Sequence, residues 1–528
     1  MKKIFLIFIA AATGLTFTAC TKSDFADSYS DPSKVQTSTV DKQYAGFIYS
    51  YNRYNLPTYW NYFVILRTTL QHYTQSVGWE NGDNQYVPGA ASINDRWNDY
   101  FYTLAQYREL ENIYNKLTDI EKKELRIYMV TATIFLYDQT QKAVDLHGDI
   151  PFTEAGKISE NRGNYSAAFA KYDAASTIYT KMLDDLKAFA DELNTLTIRE
   201  ELKKKFQTQD MINSGDIPSW KRYCNSLRLR MLTRVSGVAS FQSRVTAEIA
   251  AIAGDPVKYP VVAANADNIR IDVFNLTGDI NGKGFQTGLE DWNGNIAGKV
   301  MIDHMKTNAD PRLRAMFEPG ANAAGAYNGL DPTLNRGVQN TLIAGGTMSI
   351  YNRSTISRNH YFPGMMINAA EVSFLLAEYY LKANNNTAAK TAYDRGIKQS
   401  IEYYYWLRSL SQDNTAGALT PTNDTEINAY TNATAVNWNN ATTNADKLKL
   451  IARQKWIHFN VVQPNENWAE IRRLDAPTFS FETDNANAQK QPPMRWVYPG
   501  TEITFNAANY KAVQANDNLG YKLFWDVQ

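Results

Sequence analysis

Eight apolar side chains, Phe169, Tyr172, Ala175, Tyr179, Met182, Leu186, Phe189 and Leu193, follow one another at spacings of 3, 3, 4, 3, 4, 3 and 4 residues. Those intervals keep all eight on one stripe of a 3.6-residue helix, so the stretch is predicted to be one long amphipathic helix that must lay its stripe on a partner. Similar periodicity predicts helices from Trp97 to Leu117, Glu121 to Leu146, Asn225 to Ser236, Ala369 to Ala383, Thr387 to Tyr405 and Ala445 to Val462. Short polar turns such as Leu117-Thr118-Asp119 and Ala383-Asn384-Asn385-Asn386 join neighbours, which should therefore fold back as antiparallel hairpins.

Small residues and an aromatic in the second helix of one pair, Ala388, Ala389, Ala392 and Tyr393, resemble tetratricopeptide packing, although no strict repeat period survives. Residues 255–365 differ, being rich in Gly, Asn, Asp and Pro, and Asp413 to Ala445 is dense in Asn and Thr. Such punctuation predicts long loops with at most short strands. The expected fold is mostly α, a tetratricopeptide-like helix-pair scaffold carrying a loop-rich insertion, and binding surfaces tend to be built on such loops.

The N-terminus has the form of an export signal. Lys2 and Lys3 precede an apolar run, Ile4 to Ala12, and Leu15 to Cys20 reads as a lipobox ending in the cysteine that would carry lipid. Residues 1–19 are thus predicted to be a lipoprotein signal peptide, 20–44 a lipidated flexible tether, and 45–528 one domain. No later stretch approaches the roughly 18 apolar residues of a spanning helix. With 54 basic and 54 acidic side chains, the chain lacks the cationic excess that nucleic acid demands. Only Cys20 and Cys224 occur, so Cys224 has no expected disulfide partner and should be a buried small hydrophobe. The surplus lies in 33 Tyr and 11 Trp, which suit a core or a flat ligand.

No catalytic constellation can be read in the chain. His72, His147, His304, His360 and His458 are scattered, without a metal-binding pair. No nucleophile elbow, phosphate loop or dinucleotide fingerprint occurs. Asp279-Ile280-Asn281-Gly282 begins like a calcium loop, but Lys283 stands where a third oxygen ligand is wanted, and the stretch reads as a turn. Glu290-Asp291 beside Trp292 reads as a solvated acidic turn. No metal, cofactor or catalytic residue is predicted.

Four stretches carry a resemblance. Trp220-Lys221-Arg222-Tyr223-Cys224-Asn225-Ser226-Leu227-Arg228-Leu229-Arg230, preceded by Gly215-Asp216-Ile217-Pro218-Ser219, resembles the W-x-K-x-x-N-S-L-x-L-R signature of the SusD/RagB family, with Arg222 at the Lys position. Leu146-His147-Gly148-Asp149-Ile150-Pro151-Phe152 is similar to that family's Y-G-D-V-P-Y segment. Glu371 to Glu378 is similar to its E-V-x-F-L-x-A-E helix. Gln454-Lys455-Trp456-Ile457, Trp468, Glu470, Arg472, Arg473, Arg495 to Pro499 and Glu502 follow its C-terminal pattern. The resemblance implies a lipid-anchored outer-membrane protein at the cell surface. Such a protein would bind oligosaccharides or, in the RagB-like branch, peptides, and pass them to a SusC-type TonB-dependent transporter without turnover. A surface glycan-degrading enzyme is the less favoured alternative. Physically, Arg228, Arg230 and Arg234 read as architecture, and Glu371 and Glu378, on an apolar helix, would need cations such as these or Arg472 and Arg473.

Sugar rings stack on Trp and Tyr while amides, carboxylates and guanidiniums address the hydroxyls. Candidate ligand contacts are therefore loop aromatics with polar neighbours: Trp79 with Asn81, Asp83 and Tyr86, then Trp292, with Tyr327, Tyr351 and Tyr361 below them. The other reading of each is an aromatic pinned against the scaffold. Trp60, Trp97, Trp220, Trp456 and Trp468 fall in helical patterns and are expected in the core.

Overall fold

The computed structural model describes residues 38–161 and 164–528. Cys20, the signal peptide and most of the expected tether lie outside them. The last part of that tether, Val40 to Tyr44, is not a tether: it opens the helix Val40–Ser50, and Tyr44 is buried edge-on against Tyr128 at 5.2 Å.

The described chain is mostly helical, as the periodicity predicts. Val40–Ser50 packs on Ala90–Asn115 and Arg126–His147, and Ile217–Arg234 lies on Ala175–Glu192. Ala369–Lys382 and Asn386–Leu410 form the tightest hairpin, turned by Asn384 in the left-handed region and capped by the Asn385 side chain on the Ala388 N–H. Gly396 lets this pair close, because a Cβ there would stand 2.6 Å from the Phe374 ring. Asn444–Phe459 and Pro464–Leu474 complete the layer.

Two helix boundaries differ from expectation. The predicted Glu121–Leu146 helix is broken at Leu125, after a short helix Asp119–Glu124 that a Thr118–Glu121 capping box starts. The Phe169–Leu193 stripe is helical only from Ala175, where Tyr179, Met182 and Leu186 are buried as the spacing requires. The Asp149 carboxylate accepts the Ala175 N–H at 2.8 Å and fixes that start. Tyr172 pairs instead with Pro151 in a two-residue strand, and Phe169 is 52% exposed.

The expected loops contain short elements. Residues 255–365 carry helices Gly284–Glu290, Lys299–Thr307, Arg312–Met316 and Arg336–Ala344. Strands Ile269–Ile271 with Gly364–Ile367, and Phe317–Glu318 with Ile350–Tyr351, are antiparallel pairs. Asp413 to Ala445 includes the helix Asp424–Thr431, capped by Asn423. Beneath this region lies a second core of Tyr62, Phe285, Met301, Phe317, Trp456 and Trp468.

A buried ion network ties the layers. Arg230 is bidentate on Glu371 at 2.5 and 2.9 Å and reaches Asp138 at 2.9 Å. Arg234 holds Glu470 at 2.6 Å and also Glu466, and Arg473 grips Glu378 with two bonds of 2.7 Å. Burial pushes the Glu378 carboxyl up, but Arg473, Lys382 and Lys455 outweigh it and hold the group well below the usual carboxylate range. Among the described residues Arg472 joins no such pair; it donates to the Asp145 and Met494 carbonyls and lies 3.5 Å over the Trp468 ring. Cys224 is buried against the Leu186 carbonyl, and burial pushes its thiol up to about 12. Trp97, Trp220, Trp456 and Trp468 are core residues, but Trp60 is 36% exposed, with its indole N–H on Asp95.

Candidate functional site

The segment leading to Trp79 is placed by backbone pairing across the insertion. Val77 bridges Ala297, and the Gly78 N–H donates to the Ile296 carbonyl at 2.7 Å. Only glycine permits that approach: a Cβ at Gly78 would lie 2.8 Å from the Ala297 oxygen. The pairing brings Trp79 beside the turn Asp291-Trp292-Asn293-Gly294. There Trp292 and Asn293 both have φ of 57°, a left-handed conformation that disfavours side chains, and Trp292 is 86% exposed. Backbone strain of this kind is held in place by its surroundings and tends to mark functional positions.

Arg67 is part of that surrounding structure. It lies on Trp60–Gln71, a helix wound with i→i+5 hydrogen bonds, a form frequent at functional sites. Its Nη1 donates to the Asp291 carbonyl, and its guanidinium fills the space under Gly294, where any Cβ would collide with it.

Trp79 and Trp292 thus line one cavity of about 220 Å³, together with Arg67, Glu80, Arg336 and Ile343. The Trp79 indole stacks on the His72 ring at 4.4 Å and 17°, and His72 stacks in turn on Tyr86 at 5.3 Å. Burial lowers His72 to about 3, so the imidazole is neutral at ordinary pH and serves as a flat backing for the indole. At the rim Arg336 pairs with Glu80 at 2.9 Å. The Trp79 Nε1 and Arg67 Nε atoms are buried without a hydrogen-bond partner among the described residues.

The other sequence candidates are placed differently. Asn81 is buried, its amide donating to the Pro332 and Leu334 carbonyls at 2.9 and 2.8 Å. Tyr86 is buried with its hydroxyl on the Glu482 carbonyl. Tyr351 is buried in its strand, its hydroxyl against the Ser76 carbonyl and Asn460. These three hold the frame and do not face the cavity, because their polar atoms already satisfy buried backbone and side-chain groups. Asp83 is exposed outside the cavity lining; Tyr327 is half-buried against the second core, and Tyr361 is half-buried with its hydroxyl accepting from Gln412. Glu290, suspected as part of an acidic turn, is bidentate with Arg358 at 2.9 and 2.8 Å.

Arg67, His72, Glu80 and Arg336 were missed from sequence. A charge directly after the apolar run Phe63-Val64-Ile65-Leu66 was a usable signal for Arg67; Arg336 offered none. A larger cavity of about 440 Å³ opens in the scaffold beside Arg108 and Arg126, but those arginines are committed to Glu111, the Phe152 carbonyl and Glu192. Among the described residues no group of three His, Cys, Asp or Glu side chains could hold a metal ion, and no helix is long and apolar enough to cross a membrane.

The geometry can be set beside known proteins. A SusD-like family model described as starch-binding, associating with the outer membrane, matches residues 41–499. Among solved structures, a Bacteroidetes SusD-like protein superposes with a TM-score of 0.72 at 20% identity, covering 93% of this chain and 100% of its own. A chitin-binding SusD homolog from Flavobacterium johnsoniae gives 0.69 at 21%, covering 93% and 99%. A SusD homolog from Bacteroides fragilis gives 0.71 at 18%, also covering 93% and 99%. At these identities the structural likeness is one of fold. No match is found among curated proteins.

Proposed function

Because the chain belongs to the SusD-like family of starch-binding proteins that associate with the outer membrane, we propose that it is a cell-surface lipoprotein that binds oligosaccharides in the Trp79–Trp292 cavity and passes them to a SusC-type TonB-dependent transporter. The observation that carries the reading is the pair of indoles lining one cavity, one of them displayed on a left-handed turn, beside partner-free N–H donors. An indole face covers the apolar face of a pyranose, and buried donors answer its oxygens. Nothing in the cavity is arranged to cleave a glycosidic bond: Glu80 is engaged by Arg336, and Glu290 by Arg358. We therefore take the protein to be a binder and not an enzyme.

Binding isotherms with starch- and chitin-derived oligosaccharides, paired with melting curves, test the site. Trp292→Ala should weaken binding by about 1 to 3 kcal/mol with no change in melting temperature, since the side chain packs on little. Trp79→Ala should weaken binding comparably and also lower the melting temperature, because its stack on His72 is lost. Unchanged affinity in both variants would remove the cavity from consideration. Release of new reducing ends by the pure wild-type protein would make it an enzyme.

Anchoring is tested separately. Cys20→Ala should leave the protein in the soluble fraction of cells, whereas Cys224→Ala should not, its thiol being buried in the scaffold. A Cys20→Ala protein that still sediments with membranes contradicts the lipid anchor.

A further inference from the structure

The floor of the cavity holds a buried cation without a counter-ion. Arg67 is 5% exposed, and among the described residues no carboxylate lies within ion-pair distance of it. Arg228, Arg312 and Arg473, also buried, have Glu248 at 2.9 Å, Asp310 at 2.7 Å and Glu378 at 2.7 Å. Arg96 and Arg472 share with Arg67 the lack of a carboxylate among the described residues but line neither this cavity nor its rim. Arg67 instead has one Nη on the Asp291 carbonyl and its plane over Phe63 at 4.2 Å, while Phe63 stacks on Tyr59 at 5.0 Å and 13°. That stack fixes the guanidinium and leaves Nε unpaired.

The neighbouring charges do not neutralise it. Glu80 is taken by Arg336 at the rim, and the Asp291 carboxylate is exposed and beyond ion-pair reach. Burial lowers the guanidinium to about 10, with Asp291 and Tyr59 opposing only in part, so the group is still a cation at neutral pH. A buried unpaired charge is expensive, and an arriving anion relieves that penalty. A second buried donor without a partner among the described residues, Trp79 Nε1, sits on another residue of the same lining.

We infer that this cavity selects acidic sugars, with a uronate carboxylate received by Arg67 and the sugar ring lying against Trp79 or Trp292. The inference rests on the proposed reading of the cavity as a glycan site. It specifies that site's ligand as a carboxylate-bearing glycan and makes Arg67 the residue that discriminates.

The test measures dissociation constants for galacturonate and glucuronate oligosaccharides against their methyl-esterified, uncharged forms of equal length, with maltooligosaccharides and chitooligosaccharides alongside. Wild-type protein should bind an acid form at least about tenfold more tightly than its ester, as a charge-assisted hydrogen bond implies, and the advantage should shrink with added salt. Arg67→Gln should bring acid and ester to parity, and Arg67→Lys should keep part of the difference; melting curves confirm that each variant folds. Because the wild-type ratio is informative alone, a poorly folded variant does not rescue the idea. Esters or neutral glucans bound as tightly as the acids, an acid preference that survives in Arg67→Gln, or acidic peptides bound more tightly than any uronate would overturn it. Neutral-sugar binding with no acid preference leaves the glycan site standing, whereas failure to bind any sugar in the panel removes that reading as well.

Discussion

Arg230→Ala should destabilise the protein by about 3 to 5 kcal/mol, enough to abolish folding if the reserve is ordinary. Arg230 sits wholly inside the scaffold on the Ile217–Arg234 helix and neutralises Glu371 and Asp138 at once, while the Met366 carbonyl takes another of its bonds. Truncation removes the guanidinium from two buried carboxylates on different helices, leaving Asp138 with Lys142 at 3.5 Å and the Tyr223 hydroxyl at 2.7 Å, and Glu371 with the Gln463 amide at 2.9 Å. Arg230→Lys should recover part of the loss, because a single ammonium cannot reproduce the two-pronged grip on Glu371. Denaturant midpoints for wild type and both variants measure this. A loss below about 1 kcal/mol in Arg230→Ala would mean the network tolerates a missing cation and does not organise the scaffold.

Trp456→Ala should cost about 3 to 5 kcal/mol through the cavity it leaves. The indole is buried in the second core beside Phe479, at 5.4 Å between ring centroids, and its N–H donates to the Thr74 carbonyl at 2.8 Å. Thr74 lies on the short run of chain that leads to Trp79, so this variant should weaken ligand binding too. It would thereby be distinguished from Trp292→Ala, which affects binding alone. Trp456→Phe should restore most of the volume yet leave the Thr74 oxygen unpaired, an intermediate loss of about 1 to 3 kcal/mol. Paired melting curves and isotherms report both quantities. Full stability in Trp456→Ala would place the residue outside the core.

Helices were legible in the sequence where an apolar period ran for several turns, as at Ala369 and Asn386, because burial of one face dictates that period. Their ends were less so: the start at Ala175 is set by Asp149 in a different segment, and the Thr118–Glu121 capping box starts a separate short helix at Asp119 that ends at Leu125 inside an otherwise helical pattern. Trp79 and Trp292 stood out as aromatics among polar loop residues, but nothing local indicated that they share a cavity. That follows from the pairing of Val77 with Ala297 and from the glycine at 78. Asn81, Tyr86 and Tyr351 were indistinguishable from ligand contacts, since the residue types that recognise hydroxyls also satisfy buried carbonyls. Trp60 shows the converse, a helical position whose face is open to solvent.

The buried ion network also sets an order of assembly. Arg234 meets Glu470 across 236 positions of the chain and Arg230 meets Glu371 across 141, while Asp138 and Asp145 precede both arginines, so a polypeptide emerging N-terminus first makes its arginines before part of their carboxylate set exists. Until the final helices arrive, Arg230 and Arg234 have only the earlier carboxylates Asp138 and Asp145 to pair with, and loop-closure entropy delays the remaining pairs. The network is therefore complete only when Pro464–Leu474 docks and brings Glu466 and Glu470 to Arg234.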